Sequence, residues 1–154
     1  MPKQKGVKEI AVNRKAFHEY FVLERFEAGI ELAGTEVKSI RAGQVNMKDS
    51  FCTVKDGELW LRSMHISPYE HGNIFNKDPV RVRRLLMHKR EIVKLNARIM
   101  QDGVTLIPLS LYFKDSRVKV ELGLCKGKKL HDKRDSEAER ETKRDIDRAM
   151  KERY

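Results

Sequence analysis

Histidine, cysteine and carboxylate side chains are the groups through which this chain could perform a reaction, and their spacing argues against metal and nucleophilic chemistry. His18, His65, His71, His88 and His131 form no H-E-x-x-H pattern, and none stands at metal-ligand spacing from Cys52 or Cys125, which themselves make no C-x-x-C pair. No P-loop, dinucleotide fingerprint or nucleophile elbow is present. His131 beside Asp132, between Lys129 and Lys133, carries the groups of an acid/base ribonuclease. Neighbours in sequence seldom aim at one substrate atom, however, and a tail holds them loosely. No catalytic residue, metal or cofactor is therefore assigned. The chemistry that remains is electrostatic: 33 Lys plus Arg face 23 Asp plus Glu, a formal +10, which favours a polyanionic partner. No segment joins a broad apolar face to a basic one, so nucleic acid fits better than a membrane surface. Nothing resembles a signal peptide or a bilayer-spanning run, which together with two unpaired cysteines predicts a cytoplasmic protein.

The elements that must position these charges are short. In Gly29 to Gly43, GIELAGTEVKSIRAG, a short strand leads through a tight turn into about two turns of helix, with Val37 and Ile40 facing a core and Lys38 and Arg41 facing solvent or phosphate. Asn13 to Ala16 turns the chain into a strand over Tyr20 to Arg25. Phe51 to Lys55 and Glu58 to Met64 flank Asp56-Gly57, a pair suited to a two-residue hairpin turn. Trp60, in an apolar strand, is expected in the core. Asp78 and Pro79 have the form of a helix start, which predicts helix from Pro79 to Gln101, whole or broken near Met87 and His88, with Val80, Leu85 and Leu86 inward and Arg81, Arg83 and Arg84 outward. Thr105 to Phe113 and Arg117 to Leu124 form a second hairpin, in which Pro108 marks an edge or a bulge. The fold class is mainly β with inserted helices, a small antiparallel barrel of the oligonucleotide-binding type. Three regions follow: a basic arm over residues 1–12, the barrel over 13–125, and a basic tail over 126–154. The tail is expected to be disordered when free. Ser136 and Glu139 make a capping-box pattern that predisposes it to a helix, with Arg140, Arg144, Arg148 and Lys151 beside Ile146 and Met150.

GIELAGTEVKSIRAG, DSF at Asp49 to Phe51, HISPYEHGN at His65 to Asn73, DPVRVRRLLMHKREI at Asp78 to Ile92 and GKKLHDKR at Gly127 to Arg134 resemble, in order and spacing, the small protein B family. These are the bacterial SsrA-binding proteins, partners of transfer-messenger RNA (tmRNA). The resemblance implies that Asn13, Tyr20, Glu27, Leu86 and His88 contact the elbow of the transfer-RNA-like domain, with Lys38 and Arg41 on phosphates. Without it, Glu27 reads as a surface partner of a basic side chain and Leu86 as core. The resemblance also implies that Lys128, Lys129, His131, Asp132, Lys133 and Arg134 lie at the ribosomal decoding centre. The tail would then run as a helix along the empty messenger path in place of codon–anticodon pairing. Ala149 departs from the bulky residue usual before Met150. Implied partners are tmRNA and small-subunit rRNA, with elongation factor Tu carrying GTP as a further candidate, and the protein itself is expected to be a monomer. A general structured-RNA-binding module or RNA chaperone is the alternative, and a ribonuclease a distant third.

Overall fold

Antiparallel pairing organises the chain, of which the computed structural model describes residues 6–70 and 76–128. In chain order come β1 (Val7–Val12), α1 (Arg14–Glu19), β2 (Tyr20–Ile30), α2 (Gly34–Arg41), β3 (Val45–Asn46), β4 (Phe51–Lys55), β5 (Glu58–Arg62), β6 (His65–Ile66), β7 (Arg83–Leu86), α3 (Lys89–Asp102), β8 (Thr105–Lys114) and β9 (Arg117–Gly127). Among the described residues a 7-stranded sheet runs in the order β1-β8-β4-β5-β7-β2-β9. A further β8–β9 pairing closes every strand of this sheet but β1 into a ring, while β3 and β6 pair separately with each other. The seam between β4 and β8 is a single bridge, Cys52 to Leu106. This is the small antiparallel barrel with inserted helices that the strand pattern predicts.

Alternation fills the barrel. Leu59 and Leu61 of β5, Leu85 of β7, Leu106 and Leu111 of β8, and Val120, Leu122 and Leu124 of β9 point inward, and Ile92 and Leu95 of α3 join the same cluster. A smaller cluster lies outside the ring, where Ala16 of α1 meets Ile107, Leu109 and Cys125. The β8–β9 register slips between Pro108 and Ser110, the bulge expected at Pro108. Asp56 (φ 54) and Gly57 (φ 75) both take the left-handed conformation that closes the β4–β5 hairpin.

Several expectations are corrected. Residues 7–12 are β1, paired with the end of β8, and not part of an arm; β9 also carries the barrel two residues past 125, to Gly127. The strand expected over Tyr20 to Arg25 is present as β2, but the chain enters it through a helix: Asn13 caps α1, its side-chain oxygen accepting from the Ala16 amide at 3.3 Å. The helix expected from Pro79 begins only at Lys89: Asp78 accepts from the Val80 amide at 2.9 Å and closes a turn, after which β7 pairs with both β5 and β2. Its period of two sends Arg83 into the interior, wholly buried, and leaves Leu86 46% exposed; Val80, in the turn before the strand and expected inward, is 51% exposed. Trp60 is half-buried on the outer face and is not core. The tail from residue 129 lies outside the described residues. No helix among those described is long and apolar enough to cross a membrane.

Candidate nucleic-acid interface

One concave site gathers residues from four separate elements. Glu27 and Gly29 come from the outer face of β2, Leu86 from the end of β7, His88 from the start of α3 and Lys119 from β9, with Met87 and Glu91 completing the lining. Register explains the convergence, because Gly29 pairs with Leu86 on one side and with Lys119 on the other. A side chain at Gly29 would fill the floor, since a Cβ there would stand 3.2 Å from Leu86 Cβ. His88 is the N-cap of α3, yet its side chain makes no cap hydrogen bond. Its exposed ring is therefore not spent on the helix.

Glu27 is held on two sides. The Tyr112 hydroxyl donates to its Oε2, and Lys114 Nζ stands 3.4 Å from both carboxylate oxygens. The Tyr112 hydrogen bond, aided by Lys114 and Lys119, keeps its carboxyl below the usual range despite partial burial. Burial and the Glu27 carboxylate push the Tyr112 phenol up in turn. Glu121, opposite Glu27 in the β2–β9 register, is occupied by Arg25 at 2.7 Å. An ionised carboxylate has about four acceptor positions, so Glu27 keeps capacity for a base-edge donor while its charge is balanced by lysine.

A buried network behind the site fixes β7. Glu36 of α2 accepts from Arg81 Nη2 and, at 2.6 Å, from Arg83 Nε, while its Oε1 accepts from the Ala33 amide at 2.9 Å. Arg83 also donates to the carbonyls of Met64 at 2.7 Å and Pro79 at 3.0 Å. This satisfies the guanidinium that the inward register of β7 forces into the interior.

The other residues implied by the resemblance lie elsewhere. Asn13 is 4% exposed, and its Nδ2 donates to the Pro108 carbonyl at 2.9 Å. With its oxygen on the Ala16 amide, this carboxamide positions α1, and Asn13 lies at the cleft that Tyr20 lines. Tyr20 starts β2, seven residues and roughly 23 Å from Glu27, and lines a separate cleft with Lys15, Asp49 and Phe51. Lys38 and Arg41 are exposed on α2, as expected; the Lys38 ammonium lies 5.2 Å from the Tyr69 ring centroid and the Arg41 guanidinium 5.8 Å from that of Phe113. Lys128 is anchored by its amide, which donates to the Glu19 carbonyl at 2.8 Å, and its ammonium lies 5.1 Å from the Phe21 centroid. Lys129, His131, Asp132, Lys133, Arg134, Arg140, Arg144, Ile146, Arg148, Met150 and Lys151 lie outside the described residues.

Sequence reasoning missed Tyr112, Lys114 and Lys119. Strand alternation places Tyr112 and Lys119 on an outer face, but which outer face they share with Glu27 is a matter of long-range register. Among the described residues no group of three or more His, Cys, Asp or Glu side chains could hold a metal ion.

Comparison with known proteins places this architecture. A family model described as SmpB protein matches residues 10–152. The SsrA-binding protein of Carboxydothermus hydrogenoformans is 58% identical over 147 residues, covering 96% of this chain and 99% of the relative. That of Clostridium botulinum, strain Hall, is 60% identical over 153 residues, covering 99% and 98%. A solved structure described as "tmRNA-SmpB: a journey to the center of the bacterial ribosome" superposes with a TM-score of 0.67 at 48% identity, over 84% of this chain and 92% of the other. A match that runs almost end to end leaves one conclusion: the chain belongs to the SmpB family of SsrA-binding proteins.

Proposed function

We propose that this protein binds the transfer-RNA-like part of SsrA RNA (tmRNA) and accompanies it into stalled ribosomes for trans-translation, acting by binding alone in the cytoplasm. The observation that carries the reading is the convergence of Glu27, Leu86, His88 and Lys119 on one depression. Structured RNA is recognised through its shape, its unstacked bases and its backbone. Leu86 offers an apolar surface to a base, Glu27 accepts from an exocyclic amine, and Lys119 answers a phosphate. Lys38 and Arg41 add backbone contacts from α2. Asn13 contributes by fixing α1, with Tyr20 at the cleft beside it. Residues 126–154 supply the ribosomal half of the function, with His131 stacking on an rRNA base, Lys133 and Arg134 on phosphates, and the remainder filling the messenger path. The absence of catalysis is inferred from the family's naming for binding. The cytoplasmic assignment rests on a ribosomal partner and on two unpaired, buried thiols, Cys52 and Cys125.

The test is a titration of the full-length protein against tmRNA, an ordinary transfer RNA and an unstructured RNA of equal length, at several salt concentrations. A preference for tmRNA that persists at high salt is expected, and Glu27→Ala should weaken that binding roughly tenfold or more, as for loss of a hydrogen bond to a charged group. Equal affinities that fade together with salt would leave only counterion release and favour a general RNA-binding module.

A further inference from the structure

The chain has a single tryptophan, Trp60, and it lies on the outside of the barrel. Leu59 and Leu61 are fully buried, so the alternation of β5 turns Glu58, Trp60 and Arg62 outward. The indole Nε1 donates to the Lys55 carbonyl at 3.3 Å and ties the ring to its own hairpin. Trp60 lines a groove together with Glu31, Leu32, Lys77, Val82 and Arg84, the Glu31 carboxylate standing 4.0 Å from the Arg84 guanidinium. Val82 is 39% exposed. Arg84 pairs directly with Trp60 across β5–β7 and is held along that face by Glu58 at 2.9 Å. Lys77 makes no ion pair among the described residues. Arg81 reaches the same groove, with its charge already committed to Glu36.

An indole beside Leu32 and Val82, flanked by a planar guanidinium and by an ammonium that makes no ion pair among the described residues, suits one ligand chemistry closely. A nucleobase stacks on the ring, and the phosphates on either side meet the cations. A duplex keeps its base faces hidden, so only an unpaired strand can offer one. The groove also adjoins the depression already described: Arg84 and Leu86 stand two residues apart on the same face of β7, about 7 Å. A strand leaving RNA held at Leu86 would pass directly over Arg84.

We propose that this groove is a second RNA site, binding an unpaired nucleotide with its base against Trp60 and its phosphates at Lys77 and Arg84. It goes beyond recognition of a transfer-RNA-like fold and uses none of the residues assigned to that recognition. The lone tryptophan makes the test direct. The full-length protein is titrated with a single-stranded oligouridylate of about eight nucleotides and with a duplex of equal length, following Trp60 emission and, in parallel, the anisotropy of labelled RNA. Quenching by the single strand alone is expected. Lys77→Ala and Arg84→Ala should each move its midpoint to weaker binding, and Trp60→Leu should weaken single-strand affinity by anisotropy roughly tenfold. Glu27→Ala should leave the quenching unchanged, which separates this site from the depression. Unchanged Trp60 emission when anisotropy shows the protein saturated would overturn the proposal, as would equal quenching by duplex. The emission of the unaltered protein decides the matter even if Trp60→Leu fails to fold.

Discussion

At Glu36 a single carboxylate accepts from two guanidinium groups and a backbone amide, and every partner is a piece of a different local structure. Burial alone would raise its pKa, but the Arg81 guanidinium, the Ala33 amide and Arg83 outweigh that cost and hold it below the ordinary 4.5. Glu36→Gln would leave Arg83, 0% exposed, without an anion. The expected loss is about 3–5 kcal/mol of folding free energy, as for other broken buried pairs, measured by urea denaturation. The sign with pH follows from the same contacts. The unfolded chain takes up this proton before the folded one does, so the contribution is complete above about pH 5 and disappears as the pH falls through 4.5 and the lower folded value. The pH dependence of the urea midpoint should flatten in the Gln variant over that range. Glu27 has the same sign, because its carboxyl is also held down, first by Tyr112 and then by lysine.

At the scale of elements, α1 depends on one side chain. Asn13 closes both the start of the helix and the bulge in β8, through Ala16 and Pro108. Asn13→Ala removes the cap and strands a buried carbonyl, so a loss of about 1–3 kcal/mol is expected, visible as a lower thermal midpoint with the barrel otherwise intact. The elements that were legible in the sequence are those whose signals are local. Asp56-Gly57 fixes the turn of one hairpin, and Pro108 marks the bulge in the other. The segment from Pro79 to Leu86 was misread because its opening signal is real but short: Asp78 caps a turn and nothing continues it. What extends the chain there is pairing with β5 and β2, remote partners that no window around Arg83 contains. For the same reason Trp60, Arg83 and Leu86 were each assigned the wrong side, and Glu27 could be singled out only by resemblance, since its neighbours Tyr112 and Lys114 are more than eighty residues away.

For the whole molecule, the described barrel contains the complete depression, and the charged C-terminal residues follow it in sequence. Deleting from Asp135 onward should therefore spare tmRNA binding and abolish rescue. Anisotropy with labelled tmRNA and peptide tagging on ribosomes stalled at truncated messages would separate the two, and a large loss of RNA affinity in the truncated protein would refute the division. Truncation at the other end has a different outcome. β1 covers the edge of β8 between Ser110 and Lys114, and a chain cut after Val12 would leave those N–H and C=O groups facing solvent. A bare antiparallel edge is its own best template. Two such copies could zip together about a twofold axis, and their joined sheets would lie close to Tyr112, the residue that holds Glu27. Among the described residues the first strand is the end of the sheet order and has an open outer edge of its own, so what it does is place that edge one strand away from Tyr112; losing it would bring a second molecule against the RNA surface while leaving every residue of that surface in place.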